Sequence, residues 1–414
     1  MLESVGTSGN MPRGASGLSR RNSRYRLGAG FLVLTVALAT TCMFPEAARK
    51  VETVTRAAAP PVPRPSAAQL AKLVADLGAD DFPTREAVER ALEGVGAEAV
   101  PALVEGMKSA DPEVRSRSLA LALKAEKRAA AHFEALGADV QRDNTTGRVK
   151  IISYTYRDAS KLRDEHLREL VGLPWLNRVW LNNAEVGDAG MVHVGRLTNL
   201  DILDLEGTRV TDAGLAHLAG LTNLETLCLR STAVTGRGLV HVKGMKKLWT
   251  LSLYKAKVTD AGLAAGVGGI NRSGCRSLNL SGTQVSDDGL ACLKEVKHRF
   301  GLGLMDTRIT ACGLARLQAV PNLVALALSG TAVTDEACAQ LAKIKTLEGV
   351  SLDETRVTVA GLRKLKVLPK LRSLDFRCVE LSDKEKEELL DDMPSRVRIF
   401  GQNLVGRGRA AEKP

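Results

Sequence analysis

Three histidines at one position of a repeating pattern are the first candidates for chemistry. His193, His217 and His241 are spaced 24 residues apart. Imidazole is a common metal ligand, so a stack of three could bind a transition metal. The same position in the following repeats holds Ala265, Cys292 and Arg316, without a nearby carboxylate cluster. We therefore interpret the histidines as solvent-facing residues multiplied with the repeat, and predict neither a metal nor a cofactor.

The seven cysteines supply no metal or redox motif. They are Cys42, Cys228, Cys275, Cys292, Cys312, Cys338 and Cys378. None are spaced as C-x-x-C, the spacing typical of zinc sites and thioredoxin-like chemistry. Cys275 and Cys338 replace leucines of the repeat and are interpreted as small core residues. A disulfide between Cys312 and Cys338, which lie in adjacent repeats, is left open but is not favoured.

Catalytic signatures are missing from the sequence. It contains no Gly-rich phosphate loop, no G-x-S-x-G and no H-E-x-x-H. Thr-Asp pairs recur in the repeats, but they stand where helix caps are expected. We therefore predict that the protein is not an enzyme.

The elements that position these residues are tandem repeats. Leu200–Asn223, LDILDLEGTRVTDAGLAHLAGLTN, is one of nine units between Leu176 and Pro394. Eight units have 24 residues, and the unit that begins at Leu248 has 27. A fixed period of this size predicts a solenoid. The units begin at Leu176, Leu200, Leu224, Leu248, Cys275, Arg299, Leu323, Leu347 and Leu371.

Each unit reads as a short strand, a turn and a short helix. Leu203 and Leu205 alternate with polar residues, so both side chains leave the same face of a strand. Leu215, Leu218 and Leu221 follow at helical spacing. A single unit cannot bury these leucines, whereas stacked units align their strands in parallel and join the leucines into one core.

The T-x-V-T-D-x-G-L pattern resembles the leucine-rich repeat family in its 24-residue bacterial form, over residues 150–400. The resemblance implies an α/β solenoid with parallel strands on the concave side and short helices on the convex side. Many family members stack Asn at the turn. A Thr hydroxyl can serve backbone groups of the turn, but it cannot pair on two sides as an amide does. Here that column reads Ala184, Thr208, Thr232, Ala256, Thr283, Thr307, Thr331, Thr355 and Val379.

The concave face of the first four units is predicted to carry a binding site. Strand residues between the leucines face that side, and in these units several are large or charged. Exposed Trp, Tyr and Arg dominate interface energies. The candidate residues are Arg178, Trp180, Ile202, Asp204, Glu206, Arg230 and Tyr254, with Trp249 just beside them. Later units present mostly Gly, Ala and Ser. An alternative is that Trp180 packs beneath the helices that precede the repeats.

Residues 67–132 predict helices. AVPALVEGMKSADPEVRSRSLALA, at 99–122, resembles a HEAT repeat, with the Asp, Val and Arg of that family at Asp111, Val114 and Arg115. The resemblance implies a small all-α interaction or spacer module. The alternative is a plain helical cap over the open N-terminal end of the solenoid. Asp111 is predicted to cap a helix whose first position is Pro112.

Two further segments flank the repeats. Residues 133–175 are interpreted as a degenerate first repeat. Its strand-like and helix-like positions are Ile152, Tyr154 and Tyr156, then Leu167, Leu170 and Leu173. Val397 and Ile399 are predicted to add a closing strand, and residues 401–414 to be a disordered basic tail.

Residues 1–45 read as an export signal or a signal anchor. Residues 1–26 hold five Arg and one Glu, and residues 27–44 are uncharged with FLVLTVALA at their centre. This is a basic n-region followed by an apolar h-region that is nearly long enough to span a bilayer. Ala37–Ala39 is an A-x-A cleavage candidate, and cleaved and anchored forms are weighed equally. Residues 46–66 are interpreted as a Pro-rich linker, and the chain is expected to engage the membrane and reach the periplasm or cell envelope.

The net charge of +11 raises nucleic acid as a partner. Most of this charge lies in residues 1–26, 46–64 and 401–414, which leaves about +3 for residues 65–400. That body has no RNA-binding aromatic motif and no basic helix, so nucleic acid is excluded as a predicted partner. The predicted function is therefore non-catalytic binding of a protein or peptide on the concave face. The alternatives are a structural envelope scaffold and, less favoured, a ubiquitin-ligase-like substrate receptor, for which an F-box is missing.

Overall fold

The computed structural model describes residues 65–155, 158–377, 381–401 and 404–409. The predicted export segment, most of the predicted linker, and Cys42, Tyr156, Cys378 and Val379 lie outside these residues. The described chain begins with helices and continues as one sheet of 13 strands, each strand hydrogen-bonded to the next in sequence order. None of the described helices is both long enough and apolar enough to cross a bilayer.

The N-terminal helices form a region with its own apolar cluster. Ser66 and Gln69 cap the first helix reciprocally, and Asp111 accepts a hydrogen bond from the Glu113 N–H at 2.8 Å. Pro112 takes the first position of that last helix, so both cap predictions are confirmed. The helices are α1 (Ala67–Ala75), α2 (Phe82–Val95), α3 (Val100–Gly106) and α4 (Pro112–Ala135), with 3₁₀ turns at Asp76–Gly78 and Gly96–Ala99.

The sheet follows the repeat period. It runs parallel from the second strand to the twelfth, and the two outermost strands are antiparallel to their neighbours. The predicted solenoid of parallel strands is confirmed. The strands are β1 (Asp139–Arg142), β2 (Val149–Ser153), β3 (Arg178–Trp180), β4 (Ile202–Asp204), β5 (Thr226–Cys228), β6 (Thr250–Ser252), β7 (Ser277–Asn279), β8 (Phe300–Gly303), β9 (Leu323–Ala327), β10 (Gly349–Ser351), β11 (Ser373–Phe376), β12 (Arg398–Gly401) and β13 (Leu404–Arg407).

Short helices lie behind the strands and complete each unit. The leucines of the pattern are buried, with Leu203, Leu205 and Leu218 fully inaccessible to solvent. The helices are α5 (Asp188–Val194), α6 (Asp212–His217), α7 (Asp260–Arg272), α8 (Ala311–Leu317), α9 (Asp335–Leu341), α10 (Val359–Lys364) and α11 (Asp383–Asp392). Further 3₁₀ segments are Asp164–Gly172, Leu218–Gly220, Arg237–Gly244, Gly289–Glu295 and Leu365–Val367.

The three extra residues of the unit from Leu248 lengthen its helix. α7 has 13 residues, and it packs against the 3₁₀ segment Arg237–Gly244. Glycine is required there, because a Cβ at Gly266 or Gly269 would collide with the carbonyl oxygens of Gly236 and Leu239. Close backbone packing thus accommodates the insertion on the convex side without disturbing the strand register.

The Thr-Asp pairs of the motif have divided roles. Thr211 caps α6, as predicted, and accepts a hydrogen bond from the Ala213 N–H. The aspartate instead serves the following unit, which corrects its interpretation as a cap. The N–H and hydroxyl of Thr211 donate to Asp188 at 2.8 and 2.6 Å, and Asp212 accepts in turn from Thr235 and from the Gly238 N–H. The same link joins Asp164 to Gly187, Asp260 to Ser286, Asp287 to Thr310 and Asp335 to Thr358.

The glycine of the motif makes room for that aspartate. A Cβ at Gly214 would collide with the Asp188 carboxylate, and Gly289, Gly313 and Gly361 face the preceding aspartate in the same way. Three units lack the aspartate and have Gly236, Ala311 or Val359 in its place. The unit after Ala311 then has Ala337 in place of the glycine, and the unit after Val359 has Glu385 there. Ala337 is fully buried. Carboxylate and glycine are therefore one device shared by two units.

The start of the solenoid is joined to the helices by a buried carboxylate. Glu126 of α4 is 3% exposed, accepts a hydrogen bond from the Val149 N–H, and lies 3.7 Å from Arg148. β1 and β2 form a hairpin that the sequence did not predict. In the turn between these two strands, hydrogen bonds from Thr145 and Thr146 hold the pKa of Asp143 well below its usual range.

The aromatic anchor between helices and solenoid is Trp175. Its ring packs against the apolar cluster of the helices, and the Arg148 guanidinium lies 4.0 Å from the ring centroid. The sequence placed Trp180 as the alternative anchor. Trp180 ends β3 instead, paired in register with Ser153 and Asp204. Trp175 therefore takes the capping role, and Trp180 remains on the strand face.

The C-terminal end is closed by two strands. β12 pairs in parallel with β11 and buries Ile399, as predicted. The prediction of a disordered tail from residue 401 is wrong over Leu404–Arg407, which form β13 antiparallel to β12. The reason is apolar burial, since Leu404 is 8% exposed and joins the main core.

Candidate binding face

Four of the predicted site residues are brought together by strand register. Arg178 pairs with Ile202, and Trp180 pairs with Asp204. Neighbouring parallel strands lie about 4.8 Å apart, so these side chains form one patch on the face away from the leucines. Arg178 is exposed, while the other three are half-buried. Arg178 is held by an ion pair of 3.6 Å with Asp201, a partner that the sequence did not single out.

A second group continues the patch along the ends of the next strands. Arg230 lies 3.5 Å from the Glu206 carboxylate, and its guanidinium is 5.6 Å from the Tyr254 ring centroid. Glu206, Arg230 and Tyr254 therefore form a chain of contacts across three units, as the sequence predicted for their shared column. A cation over an aromatic face contributes about 0.5–1 kcal/mol at an exposed site.

Trp249 lies at the other end of its strand. It directly precedes β6 and is 56% exposed. The Arg276 guanidinium, from the following unit, lies 4.8 Å from its ring centroid. The structure thus separates Trp249 from Tyr254 by the length of β6. Arg276 was missed because its aromatic partner stands in a different unit.

Lys255 is a further residue that sequence reasoning missed. Its φ is 55°, in the left-handed region, and its ammonium lies 5.1 Å from the Tyr254 ring centroid. The corresponding turn position has the same left-handed φ in the other described units, where it is glycine (Gly207, Gly282, Gly330) or Asn183, Ser231, Asp306 or Glu354. A Cβ at Gly282 would stand 2.9 Å from Cγ of Lys255, so the lysine stem lies over that glycine. The available signal was a cationic residue in a turn column that otherwise holds glycine, small polar or acidic residues in the described units.

Asp204, Glu206 and Cys228 have ligand atoms within 4.8 Å of one another, the one such trio in the described part of the chain. Burial, assisted by the charge of Asp204, raises the pKa of the Cys228 thiol to about 12. The thiol therefore stays protonated near neutral pH, and Glu206 already faces Arg230. Nothing here assigns a cation to the trio. His193, His217 and His241 are not part of it.

The described cysteines are unpaired, and those in the core are poor nucleophiles. Cys228, Cys275, Cys292, Cys312 and Cys338 are free, so no disulfide joins Cys312 to Cys338. Burial raises the pKa of Cys275 and Cys338 to about 12. A thiol that stays protonated is a poor nucleophile, and these two side chains act as apolar core residues.

The concave surface of the later strands is polar and carries mostly small side chains. Ser329 and Ser351 on neighbouring units are joined by a hydroxyl–hydroxyl hydrogen bond of 2.9 Å. Glycine, alanine and serine together occupy most of the concave positions of these units, including Gly301, Gly303 and Ala325. The side chains that can grip a partner are therefore concentrated in the first half of the face.

A large cleft lies elsewhere, among α1, α2 and α3, with a volume of about 1030 Å³. Its walls are mostly small side chains such as Ala71, Ala91 and Ala102, and its rim carries ion-paired arginines such as Arg196, 2.7 Å from Glu98. No buried polar group among its described lining points to a ligand. The concave face, which is open and shallow, is the better candidate.

Comparisons with known proteins agree with this architecture. A family model described as Leucine Rich repeat matches residues 276–294. No curated protein matches the sequence. Solved structures that are similar over part of the chain include the following three. An internalin, InlF, from Listeria monocytogenes is 17% identical and aligns over 58% of this chain and 77% of its own, with a TM-score of 0.33.

The other two structures are of different kinds. A TDR receptor is 12% identical, over 57% of this chain and 44% of its own, with a TM-score of 0.33. A plant ice-binding protein is 17% identical, over 53% of this chain and 76% of its own, with a TM-score of 0.33. These likenesses carry no argument about function. The fold itself is an α/β leucine-rich repeat solenoid preceded by helices.

Proposed function

We propose that this protein is a non-catalytic binding module that captures a protein or peptide on the concave face of its first four units. The observation that carries the proposal is the continuous row of Glu206, Arg230 and Tyr254 beside Trp180. An exposed arginine and two half-buried aromatics within ~15 Å have the size and composition of one interface hot-spot cluster. The rigid parallel sheet holds them in place before a partner arrives, which reduces the entropy lost on binding.

Single alanine substitutions test this face. Trp180→Ala, Arg230→Ala and Tyr254→Ala should each weaken partner capture by roughly 30-fold or more, since central hot-spot residues contribute about 2 kcal/mol or more. Their melting temperatures should change little, because none of the three is fully buried. Capture is measured by pull-down from the native envelope, followed by titration with the purified partner.

Matched controls come from the other half of the face. Ser329→Ala and Ser351→Ala lose only their mutual hydrogen bond and should leave capture unchanged. If Trp180→Ala lowers the melting temperature and leaves capture intact, Trp180 is a structural residue. If all three variants capture normally, the structural-scaffold alternative takes the place of the binding function.

The helices α1–α4 are proposed to be a HEAT-like module. Support comes from Arg115, whose guanidinium donates hydrogen bonds to the carbonyls of Ser109 and Ala110 at 2.8 and 2.7 Å and so fixes the loop between α3 and α4. Asp111 caps α4 in the same loop. The module is proposed to act as an N-terminal cap, with its own partner left open.

We propose that the protein acts outside the cytoplasm, on the basis of the basic and apolar residues 1–45. A reporter fused after Ser66 should be found outside the cytoplasm. Deletion of Phe31–Ala39 should retain it inside. Cytoplasmic reporter activity from the intact fusion would refute export.

A further inference from the structure

Positive charge is concentrated in two adjacent units of the solenoid. Residues 224–274 hold eight Lys or Arg and two Asp or Glu, a net charge of +6. The unit before them, residues 200–223, holds one Arg and four Asp or Glu, a net charge of −3. The small net charge of the folded body is therefore unevenly distributed. Residues 224–274 form a basic band, and residues 200–223 form an acidic unit beside it.

The charges of this band are not compensated within the described chain. Arg230 is its one residue within 4.0 Å of a described carboxylate, that of Glu206. Lys246 donates to the Arg272 carbonyl, and Lys247 donates to the Asn223 side-chain oxygen at 2.8 Å, so neither gains a negative partner. A surface with this much unpaired positive charge attracts acidic partners and speeds their association.

Two cation–aromatic pairs mark the ends of the central strand of this band. Arg276 lies against Trp249 just before β6, and Arg230 and Lys255 both lie within 5.6 Å of the Tyr254 ring centroid just after it. Tyr254 is five positions after Trp249 in the sequence. At about 3.3 Å per residue of extended chain, the pairs stand roughly 16 Å apart.

The surface between the two pairs, called the floor below, is polar and carries only small side chains. It is formed by small side chains of β5, β6 and β7 that are mostly half-buried and lie in register: Thr226, Cys228, Thr250, Ser252, Ser277 and Asn279. Backbone can approach such a floor closely, and its hydroxyl and amide groups can exchange hydrogen bonds with an extended chain.

From these observations we infer that Arg230, Trp249, Tyr254, Lys255 and Arg276 form an acidic-peptide site. It binds an extended peptide that crosses the concave face along β6, with a carboxylate at each cation–aromatic pair. Two carboxylates four residues apart in an extended peptide leave the same face of the chain about 13 Å apart, within side-chain reach of both pairs. The inference rests on the proposed function for the choice of face, and it names the partner chemistry. It does not depend on Trp180.

Lys255 is placed beside the aromatic ring by its turn. The same turn position has a left-handed φ throughout the described repeats, where it is glycine (Gly207, Gly282, Gly330) or Asn183, Ser231, Asp306 or Glu354. The lysine stem lies over Gly282, and its ammonium is 5.1 Å from the Tyr254 ring centroid. Lys255 is thus the one cationic residue in this column of the described units, and it stands at the candidate site.

Synthetic peptides provide the test. Fluorescence anisotropy is measured for a labelled peptide of roughly twelve residues with two aspartates about four residues apart, for its isomer with adjacent aspartates, and for the form with asparagine in place of both aspartates. We expect the spaced peptide to bind at least about tenfold more tightly than either control, with affinity falling as salt is raised. The full-length protein is used throughout.

Three variants locate the binding. Lys255→Gly and Arg276→Gln should each weaken binding of the spaced peptide about tenfold or more. Lys255→Gly should not lower the melting temperature, because glycine adopts the same left-handed conformation at Gly282 in the following unit. Arg308→Gln, which removes the same charge from an exposed position in a later unit, should have no effect. The inference is overturned if the asparagine form of the peptide binds equally well, or if Lys255→Gly and Arg276→Gln bind like the parent.

A polyphosphate chain and a single-stranded oligonucleotide serve as competitors. If either displaces the peptide at equal or lower charge concentration, the band is a general anion surface and the peptide assignment falls. The inference and the proposed function can fail separately. If all variants capture the native partner normally, the proposed function fails. If the spaced peptide still binds Trp180→Ala in that case, this inference stands.

Discussion

Leu203→Ala is expected to lower the free energy of unfolding by about 2–5 kcal/mol. Leu203 is fully buried in β4 and stands in register between Val179 and Leu227. Its removal leaves a cavity that faces two neighbouring units, and a solenoid relies on those interfaces because no unit is stable alone. Urea unfolding followed by circular dichroism should show a lower midpoint.

The matched control lies next to it on the same strand. Ile202→Ala removes a similar volume from the concave side, where the side chain is only half-buried. Its effect should be well below that of Leu203→Ala. Equal midpoints for Leu203→Ala and the parent would mean that the repeat register is wrong.

Asp212→Ala should be the second severe change, at about 2–4 kcal/mol. Asp212 accepts hydrogen bonds from the Thr235 hydroxyl and N–H and from the Gly238 N–H, at 2.8 Å in the last case. Hydrogen bonds to a charged group contribute about 1.5–3 kcal/mol, and their loss leaves partly buried donors unpaired. Thermal unfolding should show the loss, whereas Asp288→Ala, at an exposed residue that pairs with Arg316, should show almost none.

The reciprocal experiment uses the unit that has Ala311 in place of the aspartate. Ala311→Asp alone should destabilise, because the new carboxylate meets the Cβ of Ala337. Ala311→Asp combined with Ala337→Gly should recover or exceed the parent stability, since Thr334 gains the acceptor that Thr358 has in Asp335. Additive effects of the two changes, without a coupling energy of about 0.5 kcal/mol or more, would contradict the shared role of the pair.

The sequence was sufficient for the features that depend on local periodicity. Leucine spacing predicted the strands and the core, because every unit repeats the same burial. The turn threonines were also interpreted correctly: Thr208 and Thr232 each donate to a carbonyl of their own turn at 2.7 Å. These interactions lie within a few residues and return with the period.

The missed features depend on partners in another unit or at the ends. The acceptors of Thr235 lie one unit away, so Asp212 looked like a local cap. Trp175 and Trp180 have similar surroundings in sequence, and only the docking of α4 decides which ring is covered. Arg276 and Lys255 complete the candidate site from positions that the strand columns do not include. β13 forms because Leu404 buries apolar surface at the C-terminal end of the core. No local sequence pattern shows that this end of the core needs covering.

The shared carboxylate–glycine device also limits how such an array can gain or lose units by recombination. Deletion of residues 299–322 would splice the unit of Asp287 directly before that of Ala337, so a carboxylate would meet a methyl group. Deletion of residues 323–346 would instead place Ala311 before Gly361, with no collision and one lost hydrogen-bond acceptor. Units of equal length are therefore not interchangeable. At each junction the unit that supplies the carboxylate must precede a unit that has glycine, so the order of the repeats is constrained by packing.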